Sequence, residues 1–121
     1  MSNGGTGAGA LSITQSQHAD ICVLSVAGRI DSSSAATLMS RLGDLIASGV
    51  KVILIDLGSV MYLTSAAFRT LLVANRDLAA QSGRLGLCGV NGQVRELFEM
   101  GGLLDIFTIF PSRDEALSKL A

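Results

Sequence analysis

Histidine and proline each occur once in this 121-residue chain, cysteine twice, and tryptophan not at all. A single imidazole, His18, provides no pair of ligands for a metal. It is also the only imidazole base on offer to a Ser or Cys nucleophile, and it falls in a short polar break between two apolar runs, where a solvated residue is expected. Aromatic residues are 4% of the chain while apolar residues are 49%. A core must therefore be built from Ala, Val, Leu and Ile, as in a sheet covered by helices. No charge of one sign dominates. The formal net charge is −1, and Lys and Arg are scattered singly, so nothing pulls the chain toward nucleic acid or inserts it into a membrane. Long hydrophobic runs are missing too. The run Val52-Ile53-Leu54-Ile55 stops at Asp56, far short of the about 20 apolar residues of a spanning helix. The opening MSNGGTGAGALS lacks the basic start and apolar stretch of a signal peptide, which sets the expected location as the cytoplasm. Cys22 and Cys88, each inside an apolar run, are expected to be buried free thiols.

Residues 1–10 carry only small and polar side chains after Met1 and are expected to form a flexible tail before one domain over 11–121. The glycines at 5, 7 and 9 precede the first strand, whereas a phosphate loop follows a strand and opens a helix. Deleting residues 2–10 should leave the midpoint of thermal unfolding almost unchanged; a large fall would mean that the tail docks on the domain.

From Leu11 the pattern is regular. Leu11–Gln15 and Ile21–Val26 read as two strands of a hairpin, with His18 at the turn. Asp31 and the serines at 32–34 offer acceptors for the start of a helix carrying Ala35, Leu38, Leu42, Leu45 and Ile46 on one face, and Gly49 ends it. Val50–Leu57 reads as a strand buried on both faces, Gly58–Leu63 as a loop, and Ala66–Ser82 as a second helix. Strands follow at Leu85–Val90 and Asp105–Phe110, separated by a short helix marked by Val94, Leu97 and Phe98. Ser112 and Glu115 make a capping box for a last helix. The order β-β-α-β-α-β-α-β-α predicts one α/β domain, a mixed and mostly parallel sheet with an N-terminal hairpin and about four helices.

Carboxylate catalysis needs two acids converging in a cleft. Asp31 and Asp56 both fall near strand ends, where caps and turns also use acids. There is no Walker loop, no dinucleotide fingerprint and no paired-cysteine motif. The chain does not look like an enzyme and needs no cofactor.

The most informative segment is Asp56-Leu57-Gly58-Ser59-Val60-Met61-Tyr62-Leu63-Thr64-Ser65-Ala66-Ala67-Phe68. Two adjacent hydroxyls stand where a long helix begins. Either could be the N-cap, or a phosphoacceptor whose phosphate meets free N–H groups and the positive end of the helix dipole. The segment resembles the phosphorylation loop of STAS-domain anti-sigma factor antagonists, D-L-x-x-V-x-[FY]-[ML]-D-S-[ST]-G-L. Gly28-Arg29-Ile30-Asp31, Gly83 through Val90, and Val94 through Leu103 resemble three further blocks of that family, in order and spacing. The likeness covers about residues 11–120. Thr64 stands where the family has an acid before the phosphoserine, and Ala66-Ala67 where it has a hydroxyl and glycine. The first change makes Thr64 a competing acceptor and removes a charge that would orient a kinase and its metal.

The resemblance implies a phospho-switchable binding module acting by partner switching. Its partners would be a serine kinase that doubles as anti-sigma factor, and a PP2C-type phosphatase that resets it. On that basis Ser65, or alternatively Thr64, carries the phosphate. Asp31 contacts the partner or its nucleotide, and Arg69, one helical turn on, offsets the phosphate charge. The alternative is a STAS subunit of a transporter or lipid-transport complex in which Ser65 is only a cap; a nucleotide or small-ligand sensor ranks below both.

Overall fold

The computed structural model describes residues 11–121. The tail expected over 1–10 lies outside the described residues. The hairpin comes first: β1 (Ser12–His18) pairs antiparallel with β2 (Ile21–Ile30). His18 is the last residue of β1, opposite Ile21, and the chain reverses at Ala19-Asp20, with Ala19 at φ 54°. Then come α1 (Ser32–Ala47), β3 (Val52–Leu63), α2 (Ser65–Ala80), β4 (Arg84–Cys88), α3 (Gly92–Met100), β5 (Thr108–Phe110) and α4 (Arg113–Leu120). The five strands form one sheet in the order β1-β2-β3-β4-β5, parallel from β2 onward. This is the predicted α/β architecture.

Strands β2 to β4 are buried on both faces, as parallel strands must be. Cys22, Leu24 and Val26 of β2, with Ile53, Ile55 and Leu57 of β3, point to one face, where α1, α2 and α3 cover them. Phe98 of α3 fills this core, with Phe68 and Phe107 edge-on to it at 5.0 and 5.9 Å. On the other face, Ile21, Val23, Leu54 and Cys88 are covered by Ala116 and Leu120 of α4. The Ser112 hydroxyl caps α4 by accepting from the Glu115 N–H (3.1 Å). The Glu115 carboxylate pairs with Lys119 at 3.5 Å, so the expected box is supplied from the Ser112 side. Among the described residues no helix is long and apolar enough to cross a membrane.

Several boundaries differ from expectation. Residues 58–63, expected as a loop, continue β3. They do so because β2 also runs on: Ala27 pairs with Ser59, Gly28 with Val60, Arg29 with Tyr62 and Ile30 with Leu63, after a register shift between Ser25 and Ala27. A bulge bends and twists the pair here without ending it. The last strand is shorter than expected, because residues 104–106 turn and send Phe107 into the aromatic cluster. The fourth strand ends at Cys88 because Gly89 takes φ +74°.

Cys22 and Cys88 belong to opposite cores, on strands with β3 between them. Two strand spacings of about 4.8 Å put their Cα atoms beyond the reach of a disulfide. Burial pushes the Cys88 thiol up to about 11, with the Asp56 charge adding to the effect, and burial also raises that of Cys22. Titration of the denatured chain without reductant should find two free thiols, and the native chain should react slowly. No free thiol at monomer mass would contradict both the packing and the expected compartment.

Candidate functional site

Helices α1 and α2 start side by side, because they follow neighbouring parallel strands that end in register at Ile30 and Leu63. Thr64 ties these two ends together. Its N–H and its hydroxyl both donate to the Ile30 carbonyl, at 3.0 and 3.1 Å. Thr64 is thus the N-cap of α2 by backbone position, but its side chain makes no capping bond. Its carbonyl accepts from the N–H groups of Ala67 and Phe68, at 3.0 and 3.2 Å.

Ser65, the first helical residue, is exposed, and among the described residues no hydrogen bond engages its hydroxyl. The N–H groups of Ser65 and Ala66 likewise meet no acceptor among the described residues. An uncapped start leaves these donors and the positive end of the dipole facing solvent. Arg69 is exposed four residues later, on the same side of α2.

Asp31 is the N-cap of α1. Its Oδ1 accepts from the N–H groups of Ser33 (3.1 Å) and Ser34 (3.0 Å) and from both hydroxyls (3.0 Å each), while the Ser34 hydroxyl accepts from the Asp31 N–H at 2.9 Å. The Ser34 N–H, followed by the two hydroxyls, holds the Asp31 carboxyl below the usual carboxylate range. The residue is therefore an anion at neutral pH, fixed in orientation at the same sheet end as Thr64. Asp31, Thr64 and Ser65 are brought together, and Arg69 lies one turn away.

Asp56 does not converge with Asp31. It pairs with Ser25, five residues back along β2 from Ile30, or about 16 Å of strand. Its Oδ2 accepts from Arg113 Nη2 at 2.9 Å and Nε at 3.1 Å, and Nη2 also donates to the Ser25 hydroxyl at 2.6 Å. This cluster anchors the start of α4 to β2 and β3. Among the described residues no group of three or more His, Cys, Asp or Glu could hold a metal ion.

Two features at the Ser65 end are invisible in the sequence pattern. Arg29 lies 5.1 Å above the Tyr62 ring, the next cross-strand pair back from Ile30 and Leu63. Met61 is 54% exposed beside it. Both follow from the register of β2 against β3. Only the strand pairing signals them.

A rim of exposed hydroxyls, one fixed carboxylate, two arginines and a methionine, set on rigid strand ends, offers contacts to another protein. BtrV of Bordetella bronchiseptica, named as an anti-sigma factor antagonist, is 30% identical over 106 residues, covering 88% of this chain and 91% of that one. RsfB of Mycobacterium tuberculosis, an anti-sigma-F factor antagonist, is 29% identical over 108 residues, covering 89% and 88%. The crystal structure of an anti-sigma factor antagonist from Mycobacterium paratuberculosis superposes with a TM-score of 0.84 at 25% identity, covering 92% of this chain and 94% of that one. The model of the STAS domain matches residues 12–116, and this chain belongs to the STAS domain family.

Proposed function

We infer that the chain is a phosphorylation-switchable protein-binding module, an antagonist that exchanges partners when Ser65 is modified. The observation that carries this is the start of α2. An exposed hydroxyl stands on a helix whose first N–H groups are uncapped, because the neighbouring Thr64 hydroxyl is turned away to Ile30. A phosphate on Ser65 would meet unused donors and the positive end of the dipole within its own domain. Arg69 would add charge balance, and Asp31 would orient a partner arriving at the same end. Thr64 is the poorer acceptor of the two, since phosphorylation would cost its bond to the Ile30 carbonyl.

The relatives named as anti-sigma factor antagonists support an anti-sigma factor as the partner; on the proposed reading that partner is also a serine kinase, and a PP2C-type phosphatase resets the switch in the cytoplasm. Pull-down from the host, followed by incubation with the recovered kinase and ATP, tests this. Mass spectrometry should find phosphate on Ser65. Phosphate on Thr64 alone would move the switch by one residue. Recovery of a transporter subunit, with neither residue phosphorylated, would overturn it.

A further inference from the structure

The two edges of the sheet are built differently. β5 is three residues long and is followed at once by Pro111, which has no N–H to donate. Shortness and proline are ways of blunting an edge against pairing. β1 has neither. It runs for seven residues, Ser-Ile-Thr-Gln-Ser-Gln-His, with no Lys, Arg, Asp, Glu, Pro or Gly. It pairs residue for residue with β2 without a bulge, and every residue except Ile13 is exposed. Its outward row of N–H and C=O groups faces nothing among the described residues, and a net charge of −1 gives little repulsion between copies.

We propose that β1 is a self-association edge, to which the β1 strand of a second copy adds antiparallel across a two-fold axis through Gln15. The two sheets then continue as one. The order of side chains in β1 suits a second copy of itself. Centring the pair on Gln15 sets Gln15 against Gln15, Thr14 against Ser16, Ile13 against Gln17, and Ser12 against His18. Facing amides and facing hydroxyls each supply both donor and acceptor, and no like charges oppose one another at neutral pH. A residue opposite itself in an antiparallel pair requires the axis to be perpendicular to the sheet. Gln15 and Gln17 share the face of Ile13, which packs on the core beneath α1 and α2. Both copies therefore keep those helices on one side of the joined sheet. Ser65 lies at the strand ends, not at this lateral edge, so pairing leaves it exposed in both copies. The proposal is independent of phosphorylation.

Light scattering of the full chain from about 1 μM to 1 mM should show monomer giving way to dimer, the range of a modest interface. Gln15→Lys puts two like charges on the axis and should weaken the dimer about tenfold. Mixing it with Gln15→Glu should restore a heterodimer at least as tight as the original. Residue 15 is exposed, so both variants should keep a native circular dichroism spectrum. A chain that stays monomeric throughout, including one whose β1 pairs only with a different protein, overturns the proposal. So does a dimer that Gln15→Lys leaves unchanged, or a Lys–Glu mixture no tighter than the Lys variant alone.

Discussion

Gly89→Ala should lower stability by about 3 kcal/mol or more, the range reserved for strained backbone combined with overpacking. Gly89 sits at φ +74°, where a Cβ already clashes with backbone. Crowding by neighbouring atoms costs more still. The added methyl would lie 2.3 Å from the Gly58 nitrogen, 2.7 Å from the Gly58 Cα and 2.8 Å from Asp56 Oδ1. None of these can yield cheaply. The Gly58 N–H donates to Asp56 Oδ1 at 2.8 Å, and Asp56 Oδ2 holds Arg113. Pushing β3 away from β4 at this point disturbs the anchor of α4 as well as the strand. For a domain of this size the loss corresponds to a fall in melting midpoint of about 10 °C or more. Gly43→Ala is the control. Gly43 is an exposed residue within α1 with nothing within 4 Å of an added Cβ. That substitution should raise stability by about 0.5–1 kcal/mol through helix propensity. Denaturant titration of both variants checks the pair. A Gly89→Ala chain as stable as the parent would mean that β3 and β4 separate easily here.

The contrast between these glycines bears on what a sequence can disclose. The order of elements was legible because each is announced locally, by the period of Leu38, Leu42 and Ile46 in α1 or the run Val52–Ile55 in β3. The position of Ser65 was legible for the same reason, as a hydroxyl between a buried strand and a periodic helix. What could not be read is non-local. Gly58-Ser59 looks like a turn, and it becomes strand only because residues 27–30 of β2 pair along it. Thr64 looks like an ordinary cap, yet its hydroxyl bonds to a carbonyl 34 residues earlier. The Arg113 guanidinium joins Asp56 and Ser25, 57 and 88 residues away, and nothing in the spacing of those residues announces it. The approach of Gly89 to Gly58 belongs to the same class. Local chemistry predicts elements and their caps; contacts across the sheet need the register.

Phosphorylation of Ser65 should lower affinity for the kinase or anti-sigma partner by about a hundredfold or more while leaving the domain folded. The two halves of this expectation have different causes. Within the free domain, the added charge of about −1.5 to −2 faces the uncapped N–H groups of Ser65 and Ala66 and the positive end of α2. The fold therefore tolerates it. Against a partner, the same dianion must lose water at the proposed contact surface, beside the Asp31 carboxylate, fixed as an anion at the adjacent helix start. A buried charge left unpaired costs several kcal/mol, and like charges brought together add to that. Ser65→Ala should bind the partner normally and resist release by ATP. Ser65→Asp should bind poorly with a native circular dichroism spectrum; its single charge makes the loss smaller than that of the phosphate. Asp31→Asn, which keeps an acceptor for the α1 cap but removes the charge, should restore part of the affinity lost in Ser65→Asp. That partial rescue separates charge repulsion from a steric effect of the longer side chain. Calorimetric titration of the recovered partner with these variants reads all of these outcomes. Unchanged affinity in Ser65→Asp and in the phosphorylated chain would remove Ser65 from the interface and leave it as the plain first residue of α2.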